Sequence, residues 1–254
     1  MSLYQYGNDF YAYQQIGSLA SARAVAPLVL RHLKPASILD VGCGAGAWLA
    51  VYLECGATDV VGVDGDYVRP DQLLFDPACF CATDVSRSFR LGRRFDLVQC
   101  LEVAEHLDPA ASEALVDNLV AHASTVVFSA APPGQGGEQH VNERPYGYWR
   151  DLFAERGYDL FDFLRPEIRH WEHVEHWYRY NILVFVKHDA TGALEPGVAA
   201  TRVDPRHAVP DEAPLGWRMR RKVLGLLPPP VVTGLASLKH ALVLRKLNAG
   251  IQPK

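Results

Sequence analysis

From residue 38 to residue 187, short runs of apolar, often β-branched residues alternate with longer stretches whose apolar positions recur every three or four residues. The short runs read as buried strands: Ile38–Val41, Val60–Asp64, Cys79–Ala82, Leu97–Leu101 and Thr125–Ala130. The periodic stretches read as helices near Ala47–Cys55, Ala110–Ala121 and Tyr146–Arg156, the last ended by Gly157 at its C′ position. This alternation predicts parallel strands joined by helical crossovers on both faces of one sheet. Tyr158–Leu164 and Tyr180–Lys187 read as two further strands.

The two ends differ from this body. The first 35 residues read as helical, with an apolar-periodic stretch from Ala20 to Leu33 that stops at Lys34-Pro35. Their aromatic start (Tyr4, Tyr6, Phe10, Tyr11, Tyr13) suits either a lid or plain packing. Residues 189–214 are rich in Pro, Gly, Asp and Ala and read as a linker. Beyond it, residues 215–254 read as two helical pieces, Trp217–Leu227 and Val232–Leu247, separated by Pro228-Pro229-Pro230, which no helix can cross. No internal repeat is visible.

Composition narrows the class. A chain of 254 residues, 49% apolar and 21% charged, is an ordinary globular protein of one domain with appendages. It lacks a run of 18 uncharged apolar residues, and its start has neither the basic nor the apolar region of a signal peptide. Five cysteines without zinc spacing read as reduced thiols of a cytoplasmic protein. The formal charge of −4 is uneven: residues 215–254 carry eight Lys and Arg and no acid, so they stand at +8 and the rest at −12. Such a tail fits a membrane surface, an anionic partner or another subunit, the last making a homodimer. The acidic body argues against a nucleic-acid partner, which needs a basic groove.

The chemistry begins at Asp40-Val41-Gly42-Cys43-Gly44-Ala45-Gly46, where the first strand meets an acid, three alternating glycines and a helix start. Glycine lets the backbone turn tightly against a ligand, and the helix N-terminus offers free N–H groups. The next strand ends in Asp64, about twenty residues on, where a carboxylate accepts the two hydroxyls of a ribose. Gly42, Gly44 and Ala47 also fit the looser dinucleotide fingerprint, so this much implies a nucleoside cofactor of either kind.

The glycine segment resembles motif I of the class I S-adenosylmethionine (SAM)-dependent methyltransferases. Cys81-Ala82-Thr83-Asp84-Val85 resembles that family's segment after the third strand, and Phe95 to Leu107 its fourth strand and the loop below the transfer site. The resemblance covers about residues 15–188. It implies a doubly wound, mostly parallel seven-stranded α/β sheet closed by an antiparallel pair, with N-terminal helices over the cofactor. It further implies SAM bound by Asp40, Gly42, Gly44, Gly46, Asp64, Asp84, Val85 and Leu101, with Asp84 and Val85 at the adenine.

Glu102, Glu105 and His106 follow the fourth strand. If they enter a helical turn, positions i, i+3 and i+4 share one face, where two carboxylates and an imidazole suit a divalent cation. The Glu-x-x-Glu-His pattern resembles the metal motif of ubiquinone-biosynthesis and small-RNA 2′-O-methyltransferases. By that resemblance His140, in the glycine-rich segment after the fifth strand, completes a set of Glu102, Glu105, His106 and His140 around Mg²⁺ or Mn²⁺. The alternative is metal-free catalysis in which Glu105, His106 or His140 serves as base. Gly134, Gly136 and Gly137 mark the loop leading to His140 as an acceptor-binding flap. The expectation is O-methylation of a small hydroxylated molecule such as a sugar, glycan intermediate or secondary metabolite. N-methylation or a non-catalytic SAM-binding adaptor is the alternative.

Overall fold

The computed structural model describes residues 8–228, 231–234 and 236. Seven strands form one sheet in the order β3-β2-β1-β4-β5-β7-β6. They are β1 (Ser37–Val41), β2 (Asp59–Asp64), β3 (Phe80–Ala82), β4 (Leu97–Leu101), β5 (Thr125–Ser129), β6 (Tyr158–Phe161) and β7 (Leu183–Lys187). β1 to β5 are mutually parallel, while β7 runs antiparallel to both β5 and β6. The expected doubly wound sheet with its antiparallel closure is what forms.

The strands lack a polar face because helices cover both sides. Ile38 packs with α1 (Asn8–Leu33) and α2 (Ala47–Glu54), whereas its neighbour Leu39 packs with α3 (Ser112–His122) and α4 (Tyr146–Ala154). Val126 and Val127 divide in the same way. Successive strand residues point to opposite faces, so a run apolar at every position marks a strand buried twice. On α1, Ala22, Val25, Ala26 and Val29 are fully buried. Each of the two valines contributes roughly 1.5–3 kcal/mol through removal from water.

Three expectations are corrected. The N-terminal helices are one helix, α1, lying against α2 on the sheet; the side chains of its aromatic start lie outside the described residues. The late strand at Tyr158 is shorter, because its end turns into α5 (Leu164–Ile168), where Arg165 is buried in a bidentate pair with Asp162 at 2.6–2.8 Å. β7 likewise begins only at Leu183, after α6 (His176–Asn181).

The segment read as a linker is packed. It contains α7 (Pro196–Ala199), whose Val198 is buried in the core, and Arg202 bridges to Phe161 at the sheet edge. Its Pro and Gly shape turns over the body instead of a free spacer. It delivers α8 (Leu215–Leu224), the first helix of the basic extension. The second helical piece lies mostly outside the described residues.

Candidate functional site

The carboxyl ends of β1 and β4 open into a cavity of about 320 Å³. Its floor is the glycine loop. Gly42, Gly44 and Gly46 all have positive φ, at 79°, 54° and 80°. At Gly42 a Cβ would sit 2.3 Å from the Val103 side chain, so glycine is required by both conformation and space. Asp40, Gly42, Gly44 and Leu101 line the cavity, whereas Gly46 caps the start of α2. Burial pushes the Asp40 carboxyl up to about 7, with the Asp64 charge adding to the effect and Gln99 opposing it.

Asp64 is buried at the end of β2 and ties the loop to that strand. Its carboxylate accepts the Gly44 N–H and the Gly65 N–H, each at 2.7 Å, and the Tyr67 hydroxyl. Burial raises its pKa while these three bonds oppose the rise. Asp84 and Val85 lie away from the cavity. Asp84 faces solvent, accepting from Ser86 and pairing with Arg87 at 3.2 Å, and Val85 is in the core beneath α3.

Below the loop, β4 runs into Glu102, which adopts a left-handed backbone conformation at φ 54°. That geometry costs a non-glycine residue roughly 1–2 kcal/mol. It is held by the Glu102 N–H, which donates to the Ser129 carbonyl at 3.0 Å and hydroxyl at 3.1 Å. The reversal feeds a single 3₁₀ turn, Ala104–His106, instead of a regular α-turn.

The four candidate ligands therefore separate. Glu105, His106 and His140 bring one potential ligand atom each within 4.8 Å of one another. Glu102 stands outside that set because its oxygens are taken: Gln135 Nε2 donates to one at 2.9 Å and Asn181 Nδ2 to the other at 3.1 Å. Asn181 also donates to Gln135 Oε1 at 2.8 Å and accepts from the Tyr146 hydroxyl at 2.9 Å, which completes a buried amide frame.

Glu105 is fully buried and its carboxyl oxygens make no hydrogen bond of good geometry, although the Glu102 carboxyl and the backbone at Glu105 and Ala131 lie close by; His106 Nδ1 is unpaired. Burial, reinforced by the Glu102 charge, drives the Glu105 pKa well above the carboxylate range. Burial together with the His140 ring drives His106 down to about 3, so it is neutral at physiological pH.

His140 arrives on the loop that follows β5. Glu143 organises that loop: its carboxylate accepts the Gly134 N–H at 2.7 Å, the Gly136 N–H at 2.8 Å and His140 Nδ1 at 2.9 Å. With Nδ1–H donated to a carboxylate, Nε2 is the ring nitrogen left for other contacts. Gly137 is dictated by this arrangement, since a Cβ there would lie 2.2 Å from His140 Nε2. The far end of the loop is stitched to the turn through Val141 and Asn142, whose N–H groups both donate to the Glu105 carbonyl.

Three residues of the site carried no sequence signal of their own: Gln135 and Asn181, which pair with each other and with Glu102 over long sequence distances, and Glu143, which ties its own loop together. His176, Trp177 and Tyr178 of α6, from an aromatic and histidine-rich stretch of the sequence, line the cavity. Trp171, from the same stretch, packs against the core and stacks on His173 at 5.8 Å. The extension also reaches the site: Arg220 and Leu224 of α8, with Val232 and Ala236, close one side of the cavity. Arg220 donates to the Gln135 carbonyl at 3.1 Å.

Comparison with known proteins agrees with this geometry. A profile for methyltransferase domains matches residues 11–171. A segment of 53 residues is 45% identical to the ribosomal RNA large subunit methyltransferase E of Caulobacter sp. (strain K31), covering 18% of this chain and 24% of that protein. The chain thus matches about a quarter of that relative's length. Among solved structures, the SAM-bound magnesium protoporphyrin IX methyltransferase of Synechocystis PCC 6803 aligns with TM-score 0.51 at 18% identity, over 72% of this chain and 85% of that one. The sugar N-methyltransferase of Streptoalloteichus sp. ATCC 53650 aligns with TM-score 0.52 at 21% identity, over 74% and 96%. At such identities these structures share the fold alone. With the family match over most of the chain and a glycine loop built for a nucleoside cofactor, the protein belongs to the class I SAM-dependent methyltransferases.

Proposed function

We propose that this protein transfers the SAM methyl group to a hydroxyl of a small molecule, a sugar, glycan intermediate or secondary metabolite, at a site that holds a divalent cation. The observation that carries this reading is Glu105. Its fully buried carboxyl, held protonated beside two imidazoles on the wall shared with the glycine loop, is a place where a cation would take over from that proton. The donor set of one carboxylate and two imidazoles fits a divalent cation such as Mn²⁺ or Mg²⁺. When bound, such an ion lowers the pKa of an acceptor hydroxyl and orients it.

The chain's own residues do the remainder. The glycine loop and Asp40 place the cofactor against the cavity floor. The strained Glu102 turn, pinned by Ser129, Gln135 and Asn181, aims Glu105 and His106 at the same space. His106, neutral at physiological pH, keeps a lone pair for a cation. The flap residues and α8 line the sides of the cavity.

The reading is tested by incubating the protein with SAM and a panel of hydroxylated sugars and amino sugars, before and after chelation. Methyl appearing on oxygen, lost with chelator and restored by Mn²⁺ or Mg²⁺, supports it. Transfer to an amine overturns the acceptor class. Transfer to oxygen that survives chelation overturns the cation and leaves His106 or His140 as base.

A further inference from the structure

α8 has two faces with different tasks. Trp217, Arg221 and Leu224 turn toward the body: the Trp217 ring stacks on His176 at 4.3 Å, Arg221 pairs with Asp211, and Leu224 borders the cavity. The opposite face exposes Leu215, Met219 and Val223, at 69%, 60% and 61% of their surface. These three lie at i, i+4 and i+8, one continuous apolar stripe along the helix. Leu226 and Val231, beyond the end of α8, are exposed as well, at 85% and 48%. Single exposed apolar residues are common, but three on consecutive turns of one helix mark a surface made for contact.

Charge identifies the contact. Arg218 and Lys222 lie on the flank of the stripe and are exposed, Arg218 at 3.7 Å from Asp211. Residues 215–254 hold eight Lys and Arg and no acid, against a body at −12. A second copy of this chain would bring that acidic body toward the helix, but the exposed large apolar side chains of the body, Leu53, Tyr67, Leu74 and Val141, sit on separate segments and form no matching stripe. An anionic bilayer offers both halves of the complement: headgroups for the cations and acyl chains for Leu215, Met219 and Val223.

We propose that the outer face of α8 and the start of the basic extension dock on an anionic lipid surface. No helix among the described residues is long and apolar enough to cross a membrane, so the contact is interfacial. Because Arg220 and Leu224 of the same helix border the cavity, docking holds the cavity about one helix diameter from the bilayer surface. The inference stands apart from the choice of methyl acceptor.

The test is co-sedimentation of the full-length chain with vesicles of phosphatidylglycerol and phosphatidylcholine, against vesicles of phosphatidylcholine alone. Expected are binding to the anionic vesicles only, weakened by high salt, and a loss of ten-fold or more in the double variant M219S/V223S and in R218E/K222E. Thermal melting and SAM titration of each variant establish that the fold and cofactor site are intact. Equal partitioning to both vesicle types, or none to either, overturns the proposal. So does a lipid-free dimer that M219S/V223S converts to monomer, which would assign the stripe to a subunit interface.

Discussion

The His140 ring stands edge-on to the His106 ring, with centroids 4.9 Å apart and planes at 88°. One ring belongs to the turn after β4 and the other to the flap after β5. Their meeting depends on the flap being held shut from within, and the residue that holds it is Glu143.

Glu143→Gln removes the charged acceptor shared by Gly134, Gly136 and His140. The expected outcome is a 10- to 100-fold fall in kcat, the scale of lost support behind a metal or catalytic histidine. SAM affinity measured by calorimetry should stay within about two-fold, since Glu143 does not line the cavity floor. A large loss of SAM affinity would instead show that the flap shapes the cofactor site.

Glu105→Gln should abolish transfer and yet stabilise the protein. The folded-state pKa of Glu105 is raised, so the native carboxyl keeps its proton where the unfolded one has lost it. Ionisation therefore costs stability as pH rises above the unfolded value near 4.5. The variant should melt higher than wild type at pH 8, and the gap should close below about pH 4. Mn²⁺ at a hundred times its Kd should stabilise wild type by about 2.7 kcal/mol and leave the variant unmoved.

Asp40→Asn probes the same linkage without touching the proposed cation ligands. The Asp40 carboxyl is raised to about 7 from an ordinary value near 3.8. Its contribution to stability falls as pH climbs from about 4 to 7 and is flat above that. Denaturant melts without ligand should show the variant more stable by roughly 1–4 kcal/mol at pH 8, since each tenfold gain in proton affinity on folding is worth at most about 1.4 kcal/mol. At pH 4 the two should coincide. An unchanged difference across that range would place the Asp40 charge in solvent.

Gly42→Ala sets a Cβ against Val103 at a left-handed backbone position. SAM binding should be lost by calorimetry, with a lower melting temperature. Adding Val103→Ala relieves the clash but not the backbone strain, so it should recover part of the stability.

The α/β sheet is legible in the chain because its signals are local. β1, β2, β4 and β5 are buried on both faces and read as mostly apolar runs, and Gly42, Gly44 and Gly46 sit where positive φ demands glycine. The ends of β6 and β7 are harder to place because α5 and α6 are short and buried, so their apolar content resembles strand. The proline- and glycine-rich segment before α8 reads as spacer because turn residues specify bends, not whether the bent chain is packed.

Neighbouring residues alone were enough to specify the fold, the glycine loop and the group of acids and histidines that borders the cavity, because each is written in a period, a spacing or a backbone need. Which of the four side chains converge was settled by long-range packing. Glu102 turns to Gln135 and Asn181 because its backbone reverses hand, whereas Glu105 is left buried beside His106 and His140. The same packing brought α8 to the cavity. Both outcomes rest on contacts between residues far apart in the chain, and such pairings leave no local pattern to read.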